Sequence, residues 1–544
     1  MNCKELRDVA ESLFTKRLGL VSLWQEAADN FYPERADFTV RRWLGDDFAS
    51  NLTTSYPILC RRDLGDQIGQ MLRPTQKPWF HMEPTDNRRE DHAARQWLEW
   101  AEGLQRRAMY DPHTLFNRAT KEGDHDFACF GQAVITVRLN RDRDGLLYRC
   151  WHLRDVVWAE NDEGQISMVF RKWKPSARDL VQRFKSVSDK VTRLCEKTPL
   201  ETINCMHMVV GEDQYDGNAK GRKWWSIYYD VDNMHIMEEL PVWTNEYVIP
   251  RWQTVSGSQY SYSPATVAAL PDARLLQSMT YTLLEAGEKI TNPPMVATEQ
   301  AVRSDVSIYA GGITWVDYEY DERLGEALRP MSLSAAGMPI GVDMQNDCRR
   351  LLAQAFFLNK LSLPQRAPEM TAYEVGQRIQ QYIRDALPIF EPMESDYNGQ
   401  ICERTFDVLL REGAFGPPQD MPKSLRGVEI QFRFASPLHD AIEEMKGQKF
   451  MEMKGLIAEA MALDKSVVAI PDTKLALRDA MAGVGIPARW TRSEIVVAEM
   501  DRIQAEQEQA QQILATMQQG ADVARTVGEA ASMAPPMTEQ MAPA

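Results

Sequence analysis

The stretch Ser263–Pro294, SPATVAALPDARLLQSMTYTLLEAGEKITNPP, fixes the reading of the whole chain. Ser263 followed by Pro264 is a side-chain N-cap with proline at the first helical position. Leu275, Leu276, Met279, Leu283, Ala286 and Ile290 then recur every three or four residues, the period of an amphipathic helix. Asn292-Pro293-Pro294 ends it, because proline cannot continue the backbone ladder. Beyond it, DVSIYAGGITWVDYEYD (305–321) reads as two strand-like runs around Gly311-Gly312, a hairpin. A second helix is predicted from Gly341, with Met344, Cys348, Leu351, Leu352, Ala355, Phe356 and Leu358 on one side. It stops in LSLPQRAPEM (361–370), whose two prolines forbid one continuous helix and hold the connector extended. Thr371-x-x-Glu374 is a capping box that opens the next helix. Val375, Ile379, Ile383, Ala386 and Leu387 continue it, Pro388 and Pro392 kink it, and it runs to about Gly413.

Outward from this centre the pattern changes twice. Residues 4–30 predict one amphipathic helix carrying Leu6, Ala10, Leu13, Leu20, Val21, Trp24 and Ala28, stopped at Tyr32-Pro33. Residues 52–72 and 92–110 repeat the helical pattern. GQAVITVRL, LYRCWHL, DVVWAEN and QISMVFRKW alternate polar with β-branched and aromatic residues, with turn signals between them. They predict an antiparallel meander over 131–173. SARDLVQRF predicts a short helix, and 203–254 returns to strands. Towards the C-terminus, VEIQFRFA is a strand, Ser436-Pro437 starts a helix with Leu438, Ile442, Met445, Met453 and Ile457, and DTKLALRDAMAGVGIPARW is a shorter helix. Thr491-x-x-Glu494 is a second capping box, opening a helix to about Met517. The fold class is therefore α+β and mainly helical.

The 544 residues exceed what one core usually serves, so several domains or layers are expected. Apolar residues are 44% and charged residues 26% of the chain, which suits a globular protein with a sizeable core. No apolar run reaches the length needed to span a bilayer, and the charged, helical start is not a signal peptide. The eight cysteines contain no C-x-x-C pair, so reduced thiols are expected rather than a disulfide framework or a zinc site. The net charge of −16 argues against tight wrapping of nucleic acid, though it does not exclude a protein that lets DNA slide past. The 27 methionines read as adaptable core and interface filler. Ser493 to Ala544 holds eight acids and two arginines, and the last dozen residues carry the composition of a disordered tail.

Catalytic signatures are sparse. There is no G-x-x-x-x-G-K-[ST], so no P-loop motor is encoded. H-E-x-x-H, G-x-S-x-G and G-x-G-x-x-G are missing too. The one dense chemical cluster is EGDHDF, with Glu122, Asp124, His125 and Asp126. Acids around a histidine are the residue types that ligate a hydrolytic metal. They are more often a solvated helix face or an N-terminal cap. No second ligand cluster pairs with them, so no metal, cofactor or catalytic residue is assigned.

The order of elements, with several segments, resembles the head-to-tail connector (portal) proteins of short-tailed double-stranded DNA bacteriophages. The segments are PTQKPWFHMEP (74–84), DFACFGQAVITV (126–137), VIPRW (248–252), YSYSPATVAALPDARLL (260–276), MTAYEVGQR (370–378), FASPLHDA (434–441) and DKSVVAIPDTKLALRDAMAGVGIPARWTRSEIVVAEM (464–500). The family commonly has a glycine after the tyrosine at 260, where this chain has Ser261 and Tyr262. The resemblance covers nearly the whole chain and implies a subunit of a ring of about twelve copies with a central channel. It implies a wing at 1–262 and 373–480, stem helices at 263–292 and 339–360, and a clip at 293–338. It further implies a tunnel loop at 361–372, a crown helix at 481–530 and a disordered tail at 531–544. Lys360, Gln365 and Arg366 would line the DNA channel, and Tyr309, Trp315, Tyr318 and Tyr320 would face partners on the clip. The implied partners are double-stranded DNA passing non-specifically, the terminase large subunit, tail or adaptor proteins, and the major capsid and scaffolding proteins. No membrane is implied; the place is the capsid vertex at the head-tail junction of the virion, with synthesis in the host cytoplasm. A metal-dependent hydrolase of nucleic acid built on Asp124, His125 and Asp126 is the alternative from another class, and a different capsid-associated oligomer is the third.

Overall fold

The computed structural model describes residues 1–297 apart from short gaps near 44–50, at 76 and at 87–90. It also describes 328–331, 337–361, 393–434 apart from 418, and pieces of 449–511, with 315, 317 and 323 alone in the interval 298–327. The hairpin at 305–321 except 315 and 317, the capping box at 371–374, the helix predicted after it as far as 392, the Ser436-Pro437 start and the disordered tail lie outside the described residues. The described elements alternate helices and antiparallel sheets, so the class is α+β.

The chain forms two compact units. The larger unit opens with α1 (Cys3–Lys16) and α2 (Leu18–Phe31). These were expected as one helix. The break falls at Arg17, whose side chain is drawn into the interior. Its guanidinium donates to the carbonyls of Leu153, Val156 and Arg154. Two buried acceptors and one half-buried acceptor are satisfied by that one side chain, and the helix breaks where it does so. In chain order next come α3 (Tyr56–Leu72), β1 (Phe80–Pro84), α4 (His92–Met109) and α5 (Phe116–Phe130), of which β1 and α4 are divided between the two units. α5 was not expected from the sequence, and nearly all its second half is buried.

The β region departs from a single meander. β2 (Ile135–Leu139) and β3 (Leu146–Cys150) pair in a three-stranded sheet completed by β9 (Tyr247–Val248), in the order β3-β2-β9. β4 (Val156–Glu160) and β5 (Ile166–Trp173) instead begin a five-stranded sheet. It continues with β6 (Cys205–Gly211), β7 (Trp224–Asp230) and β8 (His235–Val242) in sequential antiparallel order. α6 (Ala177–Arg183) and α7 (Asp189–Lys197) fill the β5–β6 connection, each capped by a serine, Ser176 and Ser188. One face of this sheet packs on α1: Leu6 and Ala10 meet Phe170, Met206, Met208, Ile227 and Trp225. The opposite face takes α6 through Leu180 and Phe184 against Tyr228 and Met237.

α8 (Leu270–Thr291) and α9 (Met338–Ala355) are the two long helices of the opening stretch. A π turn at Ala265–Ala269 precedes α8. Ser263 accepts from the Thr266 amide at 3.2 Å, as the cap signal requires. α9 starts three residues before the expected Gly341 and ends early at Phe356; Phe357 then takes a left-handed φ of 57° before the short α10 (Leu358–Leu361). The chain returns as a π turn at Glu394–Gly399 and α11 (Gln400–Arg411), and β12 (Ile430–Phe434) follows. Between α8 and α9, β10 (Met295–Ala297) and β11 (Leu328–Pro330) pair antiparallel and close the base of the interval that holds the expected clip.

The smaller unit comprises 82–101, 417–431 and 441–544. Its described C-terminal part is helical at 449–460, α12 (Thr473–Gly483) and 496–511. An ion pair joins Lys474 to Asp501.

Candidate functional site: a helix pair anchored on a buried charged hub

α8 and α9 lie side by side through a seam of apolar and polar side chains. A Cβ at Gly341 would stand 2.7 Å from Leu283 Cδ2, so glycine there leaves room for the Leu283 side chain. Gln345 Nε2 donates to Thr280 Oγ1 at 2.8 Å, and Cys348 Sγ lies 4.0 Å from Met279 Sδ. Leu276, Cys348 and Leu352 are buried in the seam. The rest of the pair is not covered. Tyr281 is 61%, Leu284 62%, Ile340 65% and Met344 53% exposed. The sequence placed Met344 and Leu351 with the buried set, yet both are on the exposed flank.

The roots of the pair are fixed by polar and aromatic contacts. Gln277 of α8 accepts from the amides of Thr53 and Thr54 at 2.8 and 3.0 Å and donates back to the Thr54 carbonyl. Tyr56 Oη donates to the Arg349 carbonyl of α9, and Arg274 pairs with Glu26. Phe356 meets Phe31 edge-on, and Phe357 stacks on Trp252. The start of α8 is bolted to the end of α5. Gly131 has φ +76°, and a Cβ there would lie 2.6 Å from the Tyr262 carbonyl carbon. Ser263 Oγ donates to the Cys129 carbonyl at 2.6 Å, and Ser261 Oγ donates to the Gly131 carbonyl. Serine at 261 thus supplies a hydrogen bond at the position where the glycine of the resembled pattern supplies none.

α5 itself is a hub of buried charge, and here the EGDHDF cluster finds its place. Asp124 is buried and pairs with the buried Arg73, which also donates to Asn398 Oδ1 at 2.8 Å. Asp126 is buried and accepts a two-pronged contact from Arg35, at 3.0 Å from Nε and 2.6 Å from Nη2. His125 accepts from Arg61 at Nδ1, 3.1 Å away, and presents Nε2 to Asp66 at 3.5 Å. Burial, then the Arg61 charge, pushes the His125 pKa down to about 4, so the ring is neutral. Glu122 is bound one turn back to Arg118. Consecutive helical positions point about 100° apart, so the side chains diverge to different partners instead of converging on an ion. No group of three or more His, Cys, Asp or Glu able to hold a metal occurs among the described residues.

The hub depends on a close approach of α3 and α5. Gly65 and Gly69, one turn apart, face His125 and Asp124; a Cβ on Gly69 would stand 2.9 Å from Asp124 Oδ2, and one on Gly65 would strike the His125 ring. Gly123 similarly faces Tyr397 Oη at 2.6 Å. The small-xxx-small spacing in RRDLGDQIGQ (61–70) is the sequence signal for this packing, and the sequence reading missed it. A cavity of about 530 Å³ opens beside the pair, lined by Arg73, Thr75, Tyr110, Asn117, Lys121 and Asp124 among others.

Of the residues expected to touch DNA or partners, Lys360 is exposed on α10, 6.0 Å from the Phe357 ring centre, and Trp315 is 68% exposed. Gln365, Arg366, Tyr309, Tyr318 and Tyr320 lie outside the described residues. All eight cysteines are free thiols. No described helix is long and apolar enough to cross a membrane.

Residues 3–491 match the family of bacteriophage head to tail connecting proteins, and the chain belongs to that family. Two relatives extend the likeness over nearly the full length. One is the probable portal protein of Bordetella phage BPP-1, 23% identical over 95% of this chain and 93% of its own. The other is the portal protein of Salmonella phage epsilon15, 22% identical over 96% and 95%.

Proposed function

We propose that this chain is the subunit of a phage portal ring, the channel through which the genome enters the capsid and leaves it. The observation that carries this reading is the near full-length likeness to two portal proteins, together with a helix pair that keeps large apolar side chains uncovered. Exposed Tyr281 and Leu284 on α8 and Ile340 and Met344 on α9 are costly in water and favourable against a neighbour. Repeated head to tail, such contacts close by rotation into a ring of about twelve copies. In this reading α8 and α9 are the stem and 293–338 is the clip, directed to the terminase large subunit and later to tail or adaptor proteins. Residues 1–262 and 373–480 form the wing, 361–372 the tunnel loop and 481–530 the crown. Capsid and scaffolding proteins contact the ring at the vertex.

The chemistry of passage follows from the charge. The acidic surplus repels phosphates, so DNA does not adhere and slides. A uniformly basic bore would bind by counterion release and stall it. Arg366 in the proline-bounded loop, with Lys360 and Gln365 beside it, then supplies one isolated ring of positive charge. Quantitative mass spectrometry of purified virions tests the assignment. About twelve copies per particle is the expected result for a ring at a single vertex. Hundreds of copies per particle, as for a shell protein, would remove the portal reading.

A further inference from the structure

The two sheets of the β region meet through a layer of arginines and aromatic rings rather than through aliphatic side chains. The register places Arg149 and Tyr247 opposite Thr136, on one face of the three-stranded sheet, with Arg138 two residues further along β2. On the five-stranded sheet Arg171 pairs with His207, and His207 with Tyr228. The rings and cations stack in a continuous row. Arg183 lies 4.5 Å over Tyr228, which stacks at 4.0 Å on His207. Arg171 donates through Nε to Tyr247 Oη at 2.8 Å, and Tyr247 Oη is hydrogen-bonded to His207 Nδ1 at 2.6 Å. Arg171 and Arg149 both lie on the Trp151 ring, at 3.7 and 4.1 Å.

What the row lacks is acid. Among the described residues none of Arg138, Arg149, Arg171 and Arg183 makes a salt bridge. Glu246, 3.5 Å from His207, is the carboxylate that reaches the centre. Arg171 is only 1% exposed, yet its Nη1 has no hydrogen-bond partner, and neither has the buried Nε of Arg138. The crowding of like charge is felt: burial, then Arg171 and Arg138, lowers the pKa of Arg149. Burial, then Arg171, Arg183 and Arg138, drives that of His207 well down. Against its burial, Tyr247, Tyr228 and Glu246 keep Arg171 charged, and a buried guanidinium with an unsatisfied N–H is unfavourable until an acceptor completes it.

We propose that this layer is an oxyanion-binding site, in which Arg138 and Arg171 receive a phosphate or carboxylate group and Arg149 guards the open edge. Guanidinium forks match planar or tetrahedral oxyanions with paired, charge-assisted hydrogen bonds. The site is remote in sequence from the stem and tunnel loop, and it stands whether or not the chain forms a portal ring. Filling it locks the two sheets together.

The test is thermal unfolding of the full-length protein in about 50 mM phosphate, or glutarate, against chloride at matched ionic strength. A kosmotropic anion stabilises any protein somewhat, so the decisive quantity is the difference between wild type and Arg138→Met. The wild type is expected to gain roughly 3 °C more than the variant in at least one of the two anions. Phosphate alone acting points to a phosphoryl ligand, and glutarate acting alone points to an acidic side chain. Arg149→Met, at the exposed edge, repeats the comparison should Arg138→Met not fold. Equal shifts in wild type and variant for both anions would overturn the proposal.

Discussion

Arg73 and Asp124 form an ion pair withdrawn from water on both sides, with side chains 4% and 5% exposed. Asn398 completes the arginine fork and donates in turn to the Leu72 carbonyl, so three distant chain segments are tied at one point. Removing one partner strands the other charge. Asp124→Ala should therefore destabilise the protein by about 3–5 kcal/mol in chemical denaturation. The double variant Arg73→Met with Asp124→Leu should recover most of that loss, since an apolar pair of similar volume replaces the ions. Full stability of Asp124→Ala would mean that the hub does not hold the fold.

Glycine is required where α3 meets α5. Gly69→Ala and Gly123→Ala should each cost about 1–3 kcal/mol, because a methyl group would overlap Asp124 or Tyr397. Gly103→Ala is the control. Its Cβ would meet nothing within 4 Å, and alanine there should stabilise α4 by up to about 1 kcal/mol. Urea denaturation of the three variants side by side reads the contrast.

Acid should weaken the protein before the carboxylates titrate. The native state holds His125 neutral down to about 4, whereas an unfolded histidine takes up a proton near 6.5. Between those values the unfolded state binds more protons, so stability falls as pH is lowered through that window and is flat above it. His207, pushed down chiefly by burial, acts in the same direction. The unfolding midpoint is expected to drop steadily from pH 6.5 to 4 and to drop less steeply in His125→Gln. A pH-independent midpoint across that range in the wild type would contradict the neutral-histidine assignment.

Each uncovered flank of the α8–α9 pair should matter to assembly and not to the subunit. Leu284→Glu and Ile340→Glu replace side chains already 62% and 65% exposed, so each subunit's own stability should change by less than about 0.5 kcal/mol. Sedimentation of either variant should instead show subunits that fail to associate. Normal association would move the interface away from these flanks.

Sequence periodicity revealed the two long helices because their caps and proline stops are local. Ser263, Pro264 and Asn292 all act within a turn of themselves, whereas the early end of α9 at Phe356 was not marked by any such signal. The α5 hub was hidden for the opposite reason. Asp124, His125 and Asp126 look like a solvent-facing or metal-binding run, and only the distant Arg73, Arg61 and Arg35 make their burial possible. The split of the predicted meander into two sheets was equally invisible, since β2 takes its third neighbour from β9, more than a hundred residues on. The break at Arg17 depends on carbonyls near residue 155 and leaves no mark in the helical period.

The ring is the central claim, and electron microscopy of the purified full-length protein with mass from light scattering tests it most directly. Closed rings with a central hole and a mass of about twelve subunits are expected. A monomer, or a compact particle without a channel, would contradict it.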